Sequence, residues 1–228
     1  MTTNVTKIPV LDLGFVELID TFGDDLTVVN AARVSFHKEV SEMTVKDEKL
    51  VKYLADHHHV TPFFHPQARF RLKMPIFVAR EWYRHQIGFA RNEVSRRYVD
   101  EKPEMYLPEV IRARDKNLKQ GSKSEPVDLH DQAKDVLQAA NESALAAYER
   151  LLEMGTAPEV ARTVLPQGMY TEFIETASLA AFHRLYNLRT SSEAQWEIRQ
   201  YAEAIGNLLS PKFPVSWPAL TKEPIHKE

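Results

Sequence analysis

No cysteine occurs anywhere in the chain. Disulfides, thiolate zinc sites, cysteine-ligated iron–sulfur clusters and cysteine nucleophiles are therefore excluded together. An excess of basic charge is also missing. The 29 Lys and Arg residues face 32 Asp and Glu, a formal net charge of −3, so the overall field does not favour DNA and any positive site must be local. No run approaches the roughly 18 apolar residues of a membrane span, and Met1 to Pro9 lacks an apolar signal-peptide core. A soluble, cytoplasmic protein with no membrane partner is expected. The strings HxxxH and HExxH are absent too, and internal repeats are not seen. The triplet His57-His58-His59 then reads as a helix-end cluster, and no metal is expected.

With 228 residues and 43% hydrophobic content, the chain supports one sizeable core. Residues 10–22 read as a strand with a bulge at Gly14, and Asp24-Asp25 as the N-cap of a short helix over 26–33. An amphipathic helix follows over 44–58. Pro62 and Pro66 impose an extended turn over 61–67. Over 68–74, Ala68, Phe70, Leu72 and Met74 alternate with Arg69, Arg71 and Lys73, the period of a half-buried strand. Pro75 opens a helix reaching about Gln86, and 95–99 re-enters a sheet. Segment 102–125 is polar and proline-punctuated, the pattern of a mobile insertion. Helices are expected over 126–154, 158–165, 178–189 and 192–209, the last capped by Ser191 or Ser192. A strand is expected over 169–176, and an irregular tail after Pro214. The sum is a single α+β domain over residues 1–228, with a central, mostly antiparallel sheet packed by helices.

The densest chemistry lies in residues 84–98, where four arginines, His85, Glu93, two amides and two hydroxyls occupy fifteen positions. A polar loop pinned between apolar elements is where a scaffold carries binding and chemistry. Forked guanidinium groups suit a phosphate or carboxylate. Further polar clusters fall at element boundaries: Arg33 with Ser35, His59 with Thr61 and His65, and Arg162 with Arg189. Both of the last two arginines adjoin apolar segments, where an unpaired charge would be costly.

The ordered strings Ala32-Arg33-Val34-Ser35, His59-Val60-Thr61-Pro62-Phe63, Pro75-Ile76-Phe77-Val78-Ala79-Arg80, Arg84-His85 and Asn92-Glu93-Val94-Ser95-Arg96-Arg97-Tyr98 resemble the flavin-dependent thymidylate synthases. Ala161-Arg162-Thr163-Val164-Leu165-Pro166, Tyr170-Thr171-Glu172-Phe173, Asn187-Leu188-Arg189 and Ala194-Gln195-Trp196-Glu197-Ile198-Arg199 extend that resemblance over roughly residues 30–205. It implies transfer of a one-carbon unit from methylenetetrahydrofolate to C5 of a uridylate, with FAD and NADPH as redox partners, in a homotetramer whose active sites are shared between subunits. The missing thiolate fits, since this family does not add a cysteine to the base. By position the resemblance assigns Glu81, Arg84, Glu93, Val94, Ser95, Arg96, Arg97, Arg162 and Arg189 to the nucleotide. Arg97 and Arg162 would hold its phosphate, and Arg189 would meet the uracil edge where charge develops. Arg189 and Glu93 are the expected catalytic pair, Glu93 bridging nucleotide and flavin. Ser35, His59, Thr61, Arg84, His85, Gln86, Asn92, Glu93, Ser178 and Arg184 would hold FAD. Ser95 has no adjacent histidine to act as its base, which favours binding over nucleophilic attack.

The chain departs from the family pattern at the same places. Gln86 replaces the second arginine of Arg-His-Arg, and eight residues rather than seven separate it from Ser95. Glu81 replaces a glutamine, Phe64 an acid, and Ser178 and Ala180 an asparagine and an arginine. Three readings stay open: dUMP to dTMP methylation, a related methylase of UMP or another pyrimidine nucleotide, and a nucleotide- or RNA-binding homologue without flavin chemistry.

Overall fold

The computed structural model describes residues 6–98, 101–115 and 121–222. Its centre is a five-stranded, wholly antiparallel sheet in the order β1-β2-β3-β7-β4, built from Lys7–Val10, Gly14–Phe22, Gln67–Pro75, Tyr170–Ser178 and Phe89–Glu93. Around it stand α1 (Asp25–Arg33), α2 (Val45–Asp56), α3 (Ile76–Trp82), α4 (His130–Glu153), α5 (Pro158–Ala161), α6 (Leu179–Arg189), α7 (Trp196–Leu209) and α8 (Ser216–Thr221). A two-stranded hairpin, β5 (Arg112–Arg114) with β6 (Ser122–Pro126), lies apart from the sheet.

Alternation along β3 works as its sequence requires. Ala68, Phe70, Leu72 and Met74 are buried, while Arg69 and Arg71 face out. The inward side chains join Val16, Leu18 and Phe173 against Phe182 and Leu185 of α6 and Ile198, Tyr201 and Ile205 of α7, in one continuous core. At about 25 cal/mol per Å² of apolar surface, that layer is the main source of stability. The outer face carries cross-strand charge pairs, including Arg71 with Glu172, beside the exposed Ile174.

Asp24 caps α1 as its position suggests, accepting from the Thr27 amide at 3.0 Å while Thr27 Oγ1 accepts from the Asp24 amide at 3.1 Å. Thr44 and Asp47 form the same reciprocal box on α2. The Thr44 hydroxyl, with Arg33 reaching over from α1, holds the buried Asp47 carboxyl below the usual carboxylate range.

Several local expectations need correction. Residues 10–22 are not one strand: β1 and β2 form a hairpin turned by Leu11-Asp12-Leu13, with Leu11 at φ 60°. Gly14 opens β2 because the Tyr201 hydroxyl and the Val10 carbonyl lie where a Cβ would sit, 2.1 and 2.6 Å away. The bulge-like irregularity falls instead between Leu18 and Asp20. Residues 61–64 form a 3-10 turn, Thr61–Phe64, rather than an extended segment. The third helix stops at Trp82, where the His85 amide bonds back to the Trp82 carbonyl at 3.1 Å. The chain re-enters the sheet at β4, earlier than 95–99, and Ser95 to Tyr98 form a turn; Val99 lies outside the described residues. Helix α4 begins at His130 because residues up to Pro126 pair in β6. Gln195, not a serine, precedes α7.

Within 102–125, Met105 bridges to Met169, Tyr106 is buried and Arg112–Arg114 pairs with Ser122–Pro126; residues 116–120 lie outside the described part. The tail after Pro214 is not irregular through 222. The buried Asp25 carboxylate accepts from the amides of Val215 and Ser216, both at 2.8 Å, and so starts α8. Among the described residues no helix is long and apolar enough to cross a membrane.

Candidate active site

Two helices aim the site. Helix α3 leaves β3 at Pro75 and presents Glu81, and the turn beyond it presents Arg84 and His85. Helix α6 presents Arg189 at its last residue. Glu81, Arg84 and Arg189 line a cleft of about 1120 Å³ that also touches the loop before α7, Trp196 and Glu197. Arg189 donates from Nε to His85 Nε2 at 2.8 Å and from Nη1 to the Glu81 carboxylate. A guanidinium cannot give up its proton at neutral pH, so His85 Nε2 must be a lone pair, which places any ring proton on Nδ1. Burial, then the positive charges of Arg189, Arg91, Arg184 and Arg84, lower the imidazole pKa to about 4. The result is a cation whose orientation is fixed before any ligand arrives, facing a cleft where it is partly desolvated.

A second arginine–glutamate pair lies beneath β4. Arg91 Nε donates to Glu175 at 2.6 Å, and the Trp82 indole donates to the other oxygen at 3.0 Å. Glu175 is fully buried, and burial pushes its carboxyl above the usual range against the pull of Arg91. This pair joins neighbouring strands and has no access to the cleft.

Along β4 and the turn after it, Asn92, Glu93 and Val94 are exposed. The Thr171 hydroxyl donates to Glu93, and Val94 is held to the Glu172 carbonyl at 2.9 Å. Ser95 Oγ accepts from Arg97, Arg96 donates to the Glu101 carbonyl, and Arg97 lies over the Tyr98 ring. None of these lines the Arg189 cleft. Arg162, exposed on a 3-10 turn after α5, does not either. A single chain thus gathers Glu81, Arg84, His85 and Arg189, and leaves Glu93 to Arg97 and Arg162 outside the cleft.

Of the positions assigned to flavin, Ser178 and Arg184 belong to the cap and body of α6, Arg84 and His85 to the cleft, and Asn92 and Glu93 to β4. Gly88, at φ +82°, packs against Ala181, and Arg184 holds the Ile87 carbonyl at 2.8 Å. Ser178 is the N-cap, accepting from the Ala181 amide at 3.2 Å. Pro66, just past the Thr61–Phe64 turn, accepts from the Leu179 amide at 2.9 Å, and that turn also packs on α1. Ser35, His59, Thr61 and Gln86 are all exposed. Between them stand large uncovered apolar side chains, Val34, Phe36, Val60, Phe64 and Ile87, with Phe36 73% exposed. Polar donors alternating with bare apolar surface fit a flat, amphipathic ring system, and a flavin has that chemistry.

The residues missed in the sequence are Arg112, Trp196 and Glu197. Arg112 crosses from the hairpin to the buried Glu197 carboxylate, donates from Nε to Ser122 Oγ at 2.8 Å and lies 4.7 Å above the Trp196 ring. No local signal joins positions 85 residues apart. The string containing Trp196 and Glu197 marked family resemblance without marking a cleft wall.

An antiparallel α+β scaffold thus holds a pre-oriented guanidinium at an open cleft. The family model described as "Thymidylate synthase complementing protein" matches residues 17–215. A flavin-dependent thymidylate synthase of Thermosipho africanus is 43% identical over 214 residues, 93% of each chain. Its counterpart from Thermus thermophilus is 44% identical over 93% of this chain and 77% of that one. A crystal structure of the UMP/dUMP methylase PolB from Streptomyces cacaoi, bound with 5-Br dUMP, superposes with a TM-score of 0.83 at 32% identity, covering 94% of this chain and 97% of that one. The chain belongs to the flavin-dependent thymidylate synthase family and is an enzyme of methyltransferase type.

Proposed function

We propose that the protein methylates C5 of a uridylate nucleotide, converting dUMP to dTMP with methylenetetrahydrofolate as carbon donor, FAD as bound cofactor and NADPH as reductant. The observation that carries this reading is the clamp on Arg189 by neutral His85 and Glu81. For C5 of a uracil to attack an electrophilic carbon, the ring must first become enolate-like, with negative charge on its ring oxygens. A guanidinium already fixed opposite that edge stabilises the charge without reorganising. Glu81 orients Arg189 and keeps its charge balanced, and His85 serves as an acceptor only. Arg97 and Arg162 are assigned to the phosphate and Glu93 to the junction of nucleotide and flavin.

The flavin would rest on Ser35, His59, Thr61, Gln86, Asn92, Ser178 and Arg184. When bound it supplies the hydride that takes the transferred carbon from methylene to methyl, drawn from NADPH. Arg97 and Arg162 both lie outside the Arg189 cleft of a single chain, and α4 leaves Val136 and Leu137 exposed. Both features support a homotetramer in which neighbouring chains complete each site.

A second reading, methylation of UMP as well as dUMP, is favoured by Glu81, which stands where the family pattern has glutamine and touches the residue assigned to the base. The structural relative is itself named as a UMP/dUMP methylase. The deciding experiment is the visible spectrum of the purified protein, followed by anaerobic NADPH oxidation without nucleotide, with dUMP and with UMP. A yellow protein reduced faster with dUMP supports the main reading. An equal or larger response to UMP supports the second. Colourless protein that neither takes up FAD nor oxidises NADPH overturns both.

A further inference from the structure

Behind the arginine of the hairpin, the cleft is adjoined by a smaller chamber of about 220 Å³; the two share Arg112, Ser122 and Trp196 as walls. The chamber adds Lys123, Arg199 and the hydroxyls of Ser124 and Ser192. Across cleft and chamber, six cationic side chains face four acidic ones in a chain whose net charge is −3. Two of those acids are already committed, Glu81 to Arg189 and Glu197 to Arg112. Arg112 is also rigid, fixed by a buried carboxylate, a serine hydroxyl and an indole face. Arg199 Nε is buried without a hydrogen-bond partner. An arginine tethered at two nitrogens is a pre-organised receptor for an anion, because little side-chain entropy remains to be lost.

We infer that this chamber is an anion subsite of the active-site cleft, receiving a phosphate or carboxylate carried by a second substrate at the end remote from the reacting atoms. Its volume suits a charged terminus and not a whole nucleotide, since sites for complete small molecules occupy about 300–1,000 Å³. The inference rests on the proposed reaction, whose two co-substrates both carry such groups. A phosphorylated nicotinamide dinucleotide has a 2'-phosphate, and a folate has glutamate carboxylates. Both present the same chemistry to Arg112, Lys123 and Arg199.

The test is direct binding, read by tryptophan fluorescence. Trp196 is 36% exposed beneath Arg112, while Trp82 and Trp217 are buried, so a ligand in the chamber perturbs one indole selectively. Purified protein is titrated with adenosine 2',5'-bisphosphate against AMP, and with pteroyltetraglutamate against its monoglutamate. In one pair the more highly charged member should bind about 10-fold more tightly, the value of a single charge-assisted contact, and that pair identifies the source. The preference should disappear in Arg112→Gln and shrink in Lys123→Gln. Lys123 is exposed and offers a variant whose folding is not in question if loss of the Arg112–Glu197 pair unfolds the hairpin. Equal affinities within both pairs, or a preference that survives Lys123→Gln and Arg112→Gln alike, overturns the subsite. Because nothing here depends on turnover, a protein that fails to methylate uridylates sinks the proposed reaction without deciding this measurement.

Discussion

The two arginine–glutamate pairs flanking the loop after α3 are alike in chemistry and opposite in setting. In Arg91–Glu175 the carboxylate is wholly inaccessible and the arginine side chain 15% exposed; in Arg189–Glu81 the values are 24% and 17%, and the pair opens on the cleft. Both partners of the first come from adjacent strands, and a third group, the Trp82 indole, is satisfied there as well. The second pair joins two helices and shares its arginine with a neutral imidazole. Burial decides which pair serves the fold and which can serve a ligand. A sealed ion pair is costly to break and useless for recognition, whereas a half-open one is cheap to break and available to a substrate.

The largest test of that contrast is Glu175→Ala. It strands the Arg91 guanidinium and the Trp82 N–H in the interior, and removing one member of a buried pair costs about 3–5 kcal/mol. At this chain length the melting temperature should fall by roughly 10 °C, followed by thermal or denaturant unfolding. A loss under about 1 kcal/mol would show that water reaches the pair and would erase the distinction.

Arg189→Ala should behave in the reverse sense. Glu81 keeps contact with solvent, so the stability cost should stay within about 1 kcal/mol. Turnover with dUMP should drop by about 10² to 10³, the usual effect of removing a pre-oriented donor from a developing anion. Flavin content, read by absorbance, should be unchanged. Undiminished turnover would remove Arg189 from the uracil edge.

Sequence legibility followed the same division. Helices and strands with a local cause were readable: the alternation of β3, the Asp24 cap of α1 and the long period of α4. Elements fixed from a distance were not. Helix α8 starts on Asp25, about 190 residues earlier, and Arg112 meets Glu197 across 85. The β1–β2 turn was hidden because it uses Leu11 and Leu13 where glycine or asparagine would have announced it. The arginine-rich stretch was visible as a unit, yet its composition could not say that Arg91 faces the core while Arg84 faces the cleft. That choice is made by Glu175 on β7.

The finest test concerns His85, which belongs to both regions at once. His85 is only 8% exposed, and its burial, then the charges of Arg189, Arg91, Arg184 and Arg84, oppose protonation of the ring, leaving a pKa of about 4 against an ordinary 6.5. Between those values the unfolded chain binds more protons than the folded one, so stability rises with pH there. The stabilisation tied to neutral His85 is complete above pH 6.5 and is lost as pH falls toward 4. His85→Gln retains an acceptor for Arg189 Nε and removes the titration. Its unfolding free energy should therefore depend less steeply on pH than that of the parent between pH 6.5 and 4, with the two curves lying closest at neutral pH and separating as acid is added, because only the parent loses this stabilisation. Parallel curves would mean that the imidazole titrates normally and that Arg189 is not held by a neutral ring. In that case the clamp would rest on Glu81 alone, and Glu81→Gln should then be the variant that loosens Arg189 and raises KM for the nucleotide.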